Sequence, residues 1–294
     1  MAKKSRLGQG VLNLIFILLC IAAVAPFLLL LSSSLTDEET LLREGYNFFP
    51  PRFSLQSYAY LMGSAAKITK GYGITVLVTC VGTVAGMFMT ILFAYPLSRR
   101  ELPKRTFFSF FVFFTMLFNG GLVPTYMMWT QTFHIRNTLW ALIIPGLLMN
   151  GFNIIMMRSY FNASIPNELI EAARIDGAGE YRVLFQVVMP LSKPMIATIG
   201  LMIGLRYWND WTNSLYYVMD ESLYSIQAIL NTIISNIQFL SSGQAAGAMY
   251  SAADLPSVGI RMAIAIIGII PILCIYPFFQ KYFVKGIVVG GVKG

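Results

Sequence analysis

Six apolar stretches of membrane-crossing length dominate the chain, at residues 11–31, 74–97, 107–130, 139–157, 195–217 and 262–281. A helix needs about 20 apolar residues to traverse the hydrocarbon layer, and each stretch is of that order. Composition agrees: 56% apolar residues, 12% charged residues and a mean hydropathy of +0.67 exceed what a soluble core of this length requires. The expected fold is all-α and integral to the membrane, with six transmembrane helices in a single domain spanning 1–294 and no internal repeat. Six crossings put both termini on one side. With the N-terminus inside, fourteen Lys and Arg fall in the inner pieces and six in the outer ones, leaving Arg206 within a span. The excess of positive charge therefore selects cytoplasmic termini.

Several function classes are excluded. The formal charge of +8 sits at the ends of apolar runs and forms no patch suited to nucleic acid. Cys20, Cys80 and Cys274 lie inside apolar runs without metal-ligand spacing, and His134 is the only histidine, so disulfide, metal and histidine chemistry lack support. Lys3, Lys4 and Arg6 precede a 21-residue run, longer than the apolar region of a cleaved leader. Ala23-Val24-Ala25 mimics a cleavage pattern, but Pro26 and the continuing run argue that the segment is retained as a span.

The first outer loop, about 32–73, carries Phe48, Phe49 and Phe53, which suit interfacial anchors. Gly82 and Gly86, four residues apart in the second span, permit close helix approach. Asn119-Gly-Gly-Leu-Val-Pro124 interrupts the third span, and the backbone it frees must find partners in protein or along a water-filled path. Asn119 and Tyr126 are thus candidates for a substrate path, with a structural kink as the alternative. Arg206 lies about eleven residues, roughly 16 Å, into the fifth span, where a charge requires a partner. Asp210, four residues on, is the candidate. Together with Tyr207, Trp208, Asn209 and Trp211 the pair forms either a sugar-binding cluster or a structural ion pair below an aromatic belt. Residues 223–240 space Leu223, Ile226, Leu230, Ile233, Ile237 and Leu240 three and four apart, predicting an uncharged amphipathic helix on the outer surface.

Between the fourth and fifth spans lies a charged loop, about 162–194. Pro166 and Glu168 suit a helix start and Gly177 a left-handed stop, so one short helix should end near Asp176. A second should run from Glu180 to Val188 and end before Pro190. Two such helices between spans are shaped to dock a soluble partner.

Glu171-Ala172-Ala173-Arg-Ile-Asp176-Gly177, followed by Pro190-Leu191, resembles the EAA signature of bacterial binding-protein-dependent ABC importers. The resemblance covers nearly the whole chain and points to the carbohydrate branch, near the maltose-type second permease subunit. Trp208-Asn-Asp-Trp211 is similar to the aromatic-Asn cluster of that family's fifth span. Gly120-Gly-Leu-Val-Pro124 resembles a subgroup for complex oligosaccharides. The resemblance implies a type I importer fold with cytoplasmic coupling helices, in the bacterial cytoplasmic membrane. It implies a second permease subunit, two ATPase subunits, an extracytoplasmic solute-binding protein and a carbohydrate substrate, with lipid around the spans. It assigns ATPase coupling to Glu168, Glu171, Ala172, Ala173, Asp176, Gly177 and Pro190. The ending from Gln280 to Gly294, with Lys285, Gly286 and Lys293, is similar to a tail that enters the ATPase dimer interface. This chain is expected to be no enzyme and to bind no cofactor. ATP and magnesium would belong to the ATPases, in keeping with a sequence that has no Walker A loop. An amino-acid or polyamine importer and an ion-coupled carrier are the competing readings.

Overall fold

The computed structural model describes the backbone of residues 6–241 and 257–291, and the side chains of residues 9–239, 258–278 and 280. Every regular element among them is helical. The order is α1 (Arg6–Ser34), α2 (Glu38–Glu44), α3 (Gln56–Met62), α4 (Ala65–Ser98), α5 (Arg105–Leu117) and α6 (Leu122–Met127). A π-helical turn, Met128–Thr132, follows, then α7 (Trp140–Ile143), α8 (Gly151–Ser164), α9 (Asn167–Ile175) and α10 (Glu180–Val183). After a second π turn, Leu184–Val188, come α11 (Met189–Leu191), α12 (Lys193–Trp208), α13 (Thr212–Tyr217), α14 (Ile226–Ser241) and α15 (Ser257–Gly291). Contacts divide the chain into two units: Met1–Ala66 with Leu230–Ile272, and Lys67–Ile229 with Leu273–Gly294.

In the first unit, polar groups at the end of α1 turn the chain sharply. Thr36 Oγ1 donates to the Ser32 carbonyl at 2.8 Å, and Ser34 Oγ meets Tyr58 Oη at 2.9 Å. The Asp37 amide bonds the Arg52 carbonyl at 3.0 Å and the Ser54 amide the Leu35 carbonyl at 2.8 Å, so the loop folds back on its own start. Phe48, Phe49 and Phe53 stay exposed, as anchors would. The carboxylate of Glu38 accepts from the backbone amides of Val258 and Gly259, both at 2.8 Å, and so satisfies donors that the first turn of α15 cannot pair internally.

The second unit is organised on α4. Gly71, Thr75, Val78, Gly82 and Gly86 are buried along one face at steps of three and four, which extends the glycine signal read from sequence. A Cβ at Gly82 would meet the Tyr207 ring closer than 3.0 Å, so only glycine admits that ring. At the other end of this face Thr75 Oγ1 accepts from the Ile226 amide at 2.8 Å, anchoring the start of α14. The amphipathic helix read at 223–240 is thus present as Ile226–Ser241, with Leu223 in a 3-10 turn before it. The core gathers Ile154, Met157 and Phe161 of α8, Val183, Leu184 and Val188 near α10, and Ile199 and Ile203 of α12.

Three of the six apolar segments, carried by α1, α4 and α15, are unbroken helices long and apolar enough to cross a membrane. The other three are broken: the interruption read at Asn119–Pro124 in the third is present, while the breaks in the fourth and fifth were not expected. The third bends by 111° between Leu117 and Leu122, where Gly121 has φ 84°. Asn119 Oδ1 accepts from the Gly121 amide at 2.9 Å and Thr125 Oγ1 donates to the Gly121 carbonyl at 2.6 Å, so local side chains satisfy the freed backbone. The fourth stops at Ile143 and resumes at Gly151, because Pro145 lacks a donor and Gly146 has φ 68°. The fifth stops at Trp208 and resumes at Thr212.

The helix expected to end before Pro190 instead continues through it to Leu191. Proline is tolerated in a first turn, where its missing amide is not needed. The π turn at Leu184–Val188 places Pro190 in the first turn of α11, and Ser192 N still reaches the Val188 carbonyl at 3.1 Å.

Candidate functional site

The expected ion pair in the fifth segment does not form: Arg206 and Asp210 are not within 4.0 Å of each other. Spacing of four residues brings side chains together only on a continuous helix, and here α12 ends at Trp208 with Asn209 as its cap. Asp210 turns instead to the next element. Its carboxylate accepts from Thr212 Oγ1 at 2.7 Å and weakly from the Asn213 amide at 3.5 Å, both in the first turn of α13.

Arg206 donates to the Gly146 carbonyl at 2.9 Å, Tyr207 Oη to the Ile143 carbonyl at 2.8 Å and Asn213 Nδ2 to the Pro145 carbonyl at 2.9 Å. These are backbone acceptors in and beside the break between α7 and α8. A disrupted helix in the membrane must have its carbonyls satisfied, and three side chains of the α12–α13 corner do so. Trp208 is buried with its ring 6.2 Å from that of Tyr72, and Tyr207 is buried in the Gly82 notch. Of the cluster, Arg206, Asn209 and Trp211 remain exposed, and Asn209 Nδ2 is returned to the Leu205 carbonyl at 2.8 Å. Tyr126 stacks on Tyr217 with ring centroids 5.9 Å apart, and Asn119 stays exposed at the bend before α6. The geometry is that of a cross-brace between broken helices, with Trp211 as its exposed aromatic face.

In the charged loop, Pro166 occupies the N-cap of α9, Glu168 lies in its first turn and Asp176 is its C-cap. Gly177 has φ 79°; its amide bonds the Arg174 carbonyl at 3.0 Å and the Ala178 amide bonds the Ala173 carbonyl at 2.9 Å. These two bonds are a Schellman motif, which requires a left-handed residue at the position Gly177 fills. The helix is fixed from below by buried Ile170, while Glu171, Ala172, Asp176 and Gly177 are exposed and Ala173 is half-buried. Two apolar side chains that sequence reading passed over stand free: Ile175 is 86% exposed and Tyr181 77% exposed. They flank the Gly177 turn among the exposed carboxylates Glu171, Asp176 and Glu180. No sequence signal marked them, since the stripe set by Ile170 spans too short a helix to sort Ile175 and does not reach Tyr181 beyond the Gly177 turn.

Beneath the loop a cleft of about 610 Å³ separates it from the end of α4, lined by Tyr95, Arg99, Glu101, Arg174, Glu180 and Tyr181 among others. The Glu101 carboxyl is held below its usual range, first by a bond from its own backbone and then by Arg174. Lys285 and Gly286 lie on the course of α15, their side chains outside the described set, and Lys293 lies outside the described residues.

Comparison with known proteins supplies the frame for this loop. The sequence profile of the binding-protein-dependent transport system inner membrane component matches residues 1–289. The polygalacturonan/rhamnogalacturonan transport system permease protein YtcP of Bacillus subtilis is 38% identical over 96% of this chain and 95% of its own. Protein LplC of the same organism is 36% identical over 92% of this chain and 90% of its own. A crystal structure of a bacterial ABC transporter involved in the import of the acidic polysaccharide alginate contains a chain with a TM-score of 0.78 to this one. That chain is 28% identical, over 96% of this chain and 100% of its own. The all-α architecture is accordingly that of a type I ABC importer permease, and the chain belongs to the family of binding-protein-dependent transport system inner membrane components.

Proposed function

We propose that this chain is one of two permease subunits of an ATP-driven importer for carbohydrate, taking up oligosaccharide fragments of a polysaccharide. The observation that carries the coupling half of this reading is the loop itself: a helix, a left-handed Gly177 and a second helix, with Ile175 and Tyr181 projecting into solvent. This surface is read as the contact to one ATPase, the partner permease serving the other. The carbohydrate half rests on the relatives, whose names give polygalacturonan, rhamnogalacturonan and arabinooligosaccharides. These favour sugar over an amino acid or a polyamine. Both termini and the loop are assigned to the cytoplasm, a second permease completes the pore, and a solute-binding protein delivers substrate outside. The tail from Lys285 onward is assigned to the ATPase interface.

The chain's own part in the cycle follows from its joints. The segment Glu180–Leu191 meets α12 at 85°, and its inner face, Val183, Leu184 and Val188, is fully packed into the core. A push on the loop therefore moves α12 and α8 rather than compressing the contact. The brace from Tyr207, Arg206 and Asn213 carries that motion to the α7–α8 connection, and the Gly82 notch carries it to α4. These helices rock as one body between inward- and outward-facing states. Trp211 and Asn209, exposed at the corner, are the candidates to touch sugar.

The test is reconstitution with the partner permease, the ATPases and the cognate binding protein, followed by binding of labelled oligosaccharides. Retention of oligogalacturonides or related fragments supports the sugar assignment. Retention of an amino acid or polyamine alone contradicts it.

A further inference from the structure

We propose that Tyr95, Glu180, Arg174 and Glu101 form a polar latch that fastens the coupling loop to the end of α4, so that ATPase motion is delivered to that helix. The inference rests on the importer reading above. Tyr95 Oη donates to Glu180 Oε2 at 2.6 Å. The other oxygen of Glu180 receives the Arg174 guanidinium, at 3.0 Å from Nε and 2.8 Å from Nη2. Arg174 in turn reaches Glu101 at 3.4 Å. Behind Tyr95, the Arg99 guanidinium stands 5.2 Å from the ring centroid, its Nε held by Ser98 Oγ at 2.9 Å. Four pieces of chain thus meet: the end of α4, the turn after it, α9 and α10.

The need for such a latch is visible in the loop. α9 and α10 are joined through a left-handed turn at Gly177, and the core packing of Val183, Leu184 and Val188 holds only the inner face, not the outer ends that carry Arg174 and Glu180. Arg174 on α9 and Glu180 on α10 close the angle between them. Toward α4, the cleft of about 610 Å³ leaves open space where packing would otherwise hold the two together. Polar bonds bridge that space.

The members differ in weight. Arg174, Glu180 and Glu101 are one-third to two-thirds exposed, and pairs of that kind contribute little on their own. Tyr95 is 5% exposed as a residue and gives its hydroxyl to a charged oxygen, so its bond is the strongest of the set. Tyr95 is therefore the positioning residue.

The experiment uses the full complex in proteoliposomes and reads two quantities together, sugar taken up and ATP hydrolysed. For Tyr95→Phe we expect wild-type subunit stoichiometry and continued stimulation of hydrolysis by loaded binding protein. Uptake per ATP should fall about tenfold, the scale of a lost hydrogen bond to a charged group. Glu180→Gln should fall similarly, the double variant no further, and Glu101→Gln, at the exposed end, only slightly. Wild-type uptake per ATP in Tyr95→Phe, or effects of Tyr95→Phe and Glu180→Gln that multiply, would overturn the latch. Absence of stimulation in the wild-type complex would instead strike the importer reading.

Discussion

The Gly177 turn gives a prediction whose size and ordering can be worked from geometry. A Cβ at this position would meet nothing within 4 Å, so substitution carries no steric clash with the rest of the protein. What it carries is conformational: φ is 79°, and a residue with a Cβ pays about 1–2 kcal/mol there. Asparagine tolerates this region better than alanine, and a β-branched residue tolerates it least. Since about 1.4 kcal/mol is a factor of ten in an equilibrium, Gly177→Ala should lower the ratio of correctly formed to misformed loops roughly tenfold. Gly177→Asn should lower it less and Gly177→Val more. The assay is purification of the assembled complex, followed by ATPase activity with and without loaded binding protein. Insertion of the chain and recognition of the binding protein should be unchanged, because the spans and outer loops do not touch Gly177. Activity that tracks side-chain volume, with asparagine worse than alanine, would refute the argument from φ. Full stimulation in Gly177→Val would refute the docking role of the loop.

Other outcomes follow from the brace and the apolar rim. Tyr207→Phe leaves the Ile143 carbonyl without its donor and should destabilise the protein by about 1–3 kcal/mol, read as a lower unfolding temperature in detergent. Gly82→Val drives a branched side chain into the Tyr207 ring and should lower it at least as much; an unchanged unfolding temperature in both would remove the brace. Ile175→Asp combined with Tyr181→Asp alters exposed side chains only, so the chain should fold normally yet lose its ATPases on purification. Wild-type ATPase retention in that double variant would exclude these two residues from the docking surface.

What the sequence disclosed and what it hid divide along one physical line. Run length alone located α1, α4 and α15, and three-and-four spacing located α14, because these depend on pattern within one element. Pro166, Glu168 and Gly177 marked the ends of α9 for the same reason: capping is local. The errors came where one element answers another. Pairing Arg206 with Asp210 assumed that a helix ran unbroken through Asn209, whereas Asp210 accepts from Thr212 in the first turn of α13 and Arg206 serves a carbonyl 60 positions away. Pro145-Gly146 went unread as a break because the flanking run is as apolar as a continuous span. Pro190 marked a stop that the π turn before it removes. The exposure of Ile175 and Tyr181 was hidden because an apolar residue in an apolar chain reads as buried until a fold shows otherwise.

Uptake of labelled oligogalacturonide into proteoliposomes tests the importer claim most directly, with the permease pair, the ATPases and the loaded binding protein all present. The account predicts accumulation that requires ATP on the side bearing the Gly177 loop, requires the binding protein on the other, and is abolished by Gly177→Val. Accumulation driven by an ion gradient without ATP, or unaffected by Gly177→Val, would contradict it.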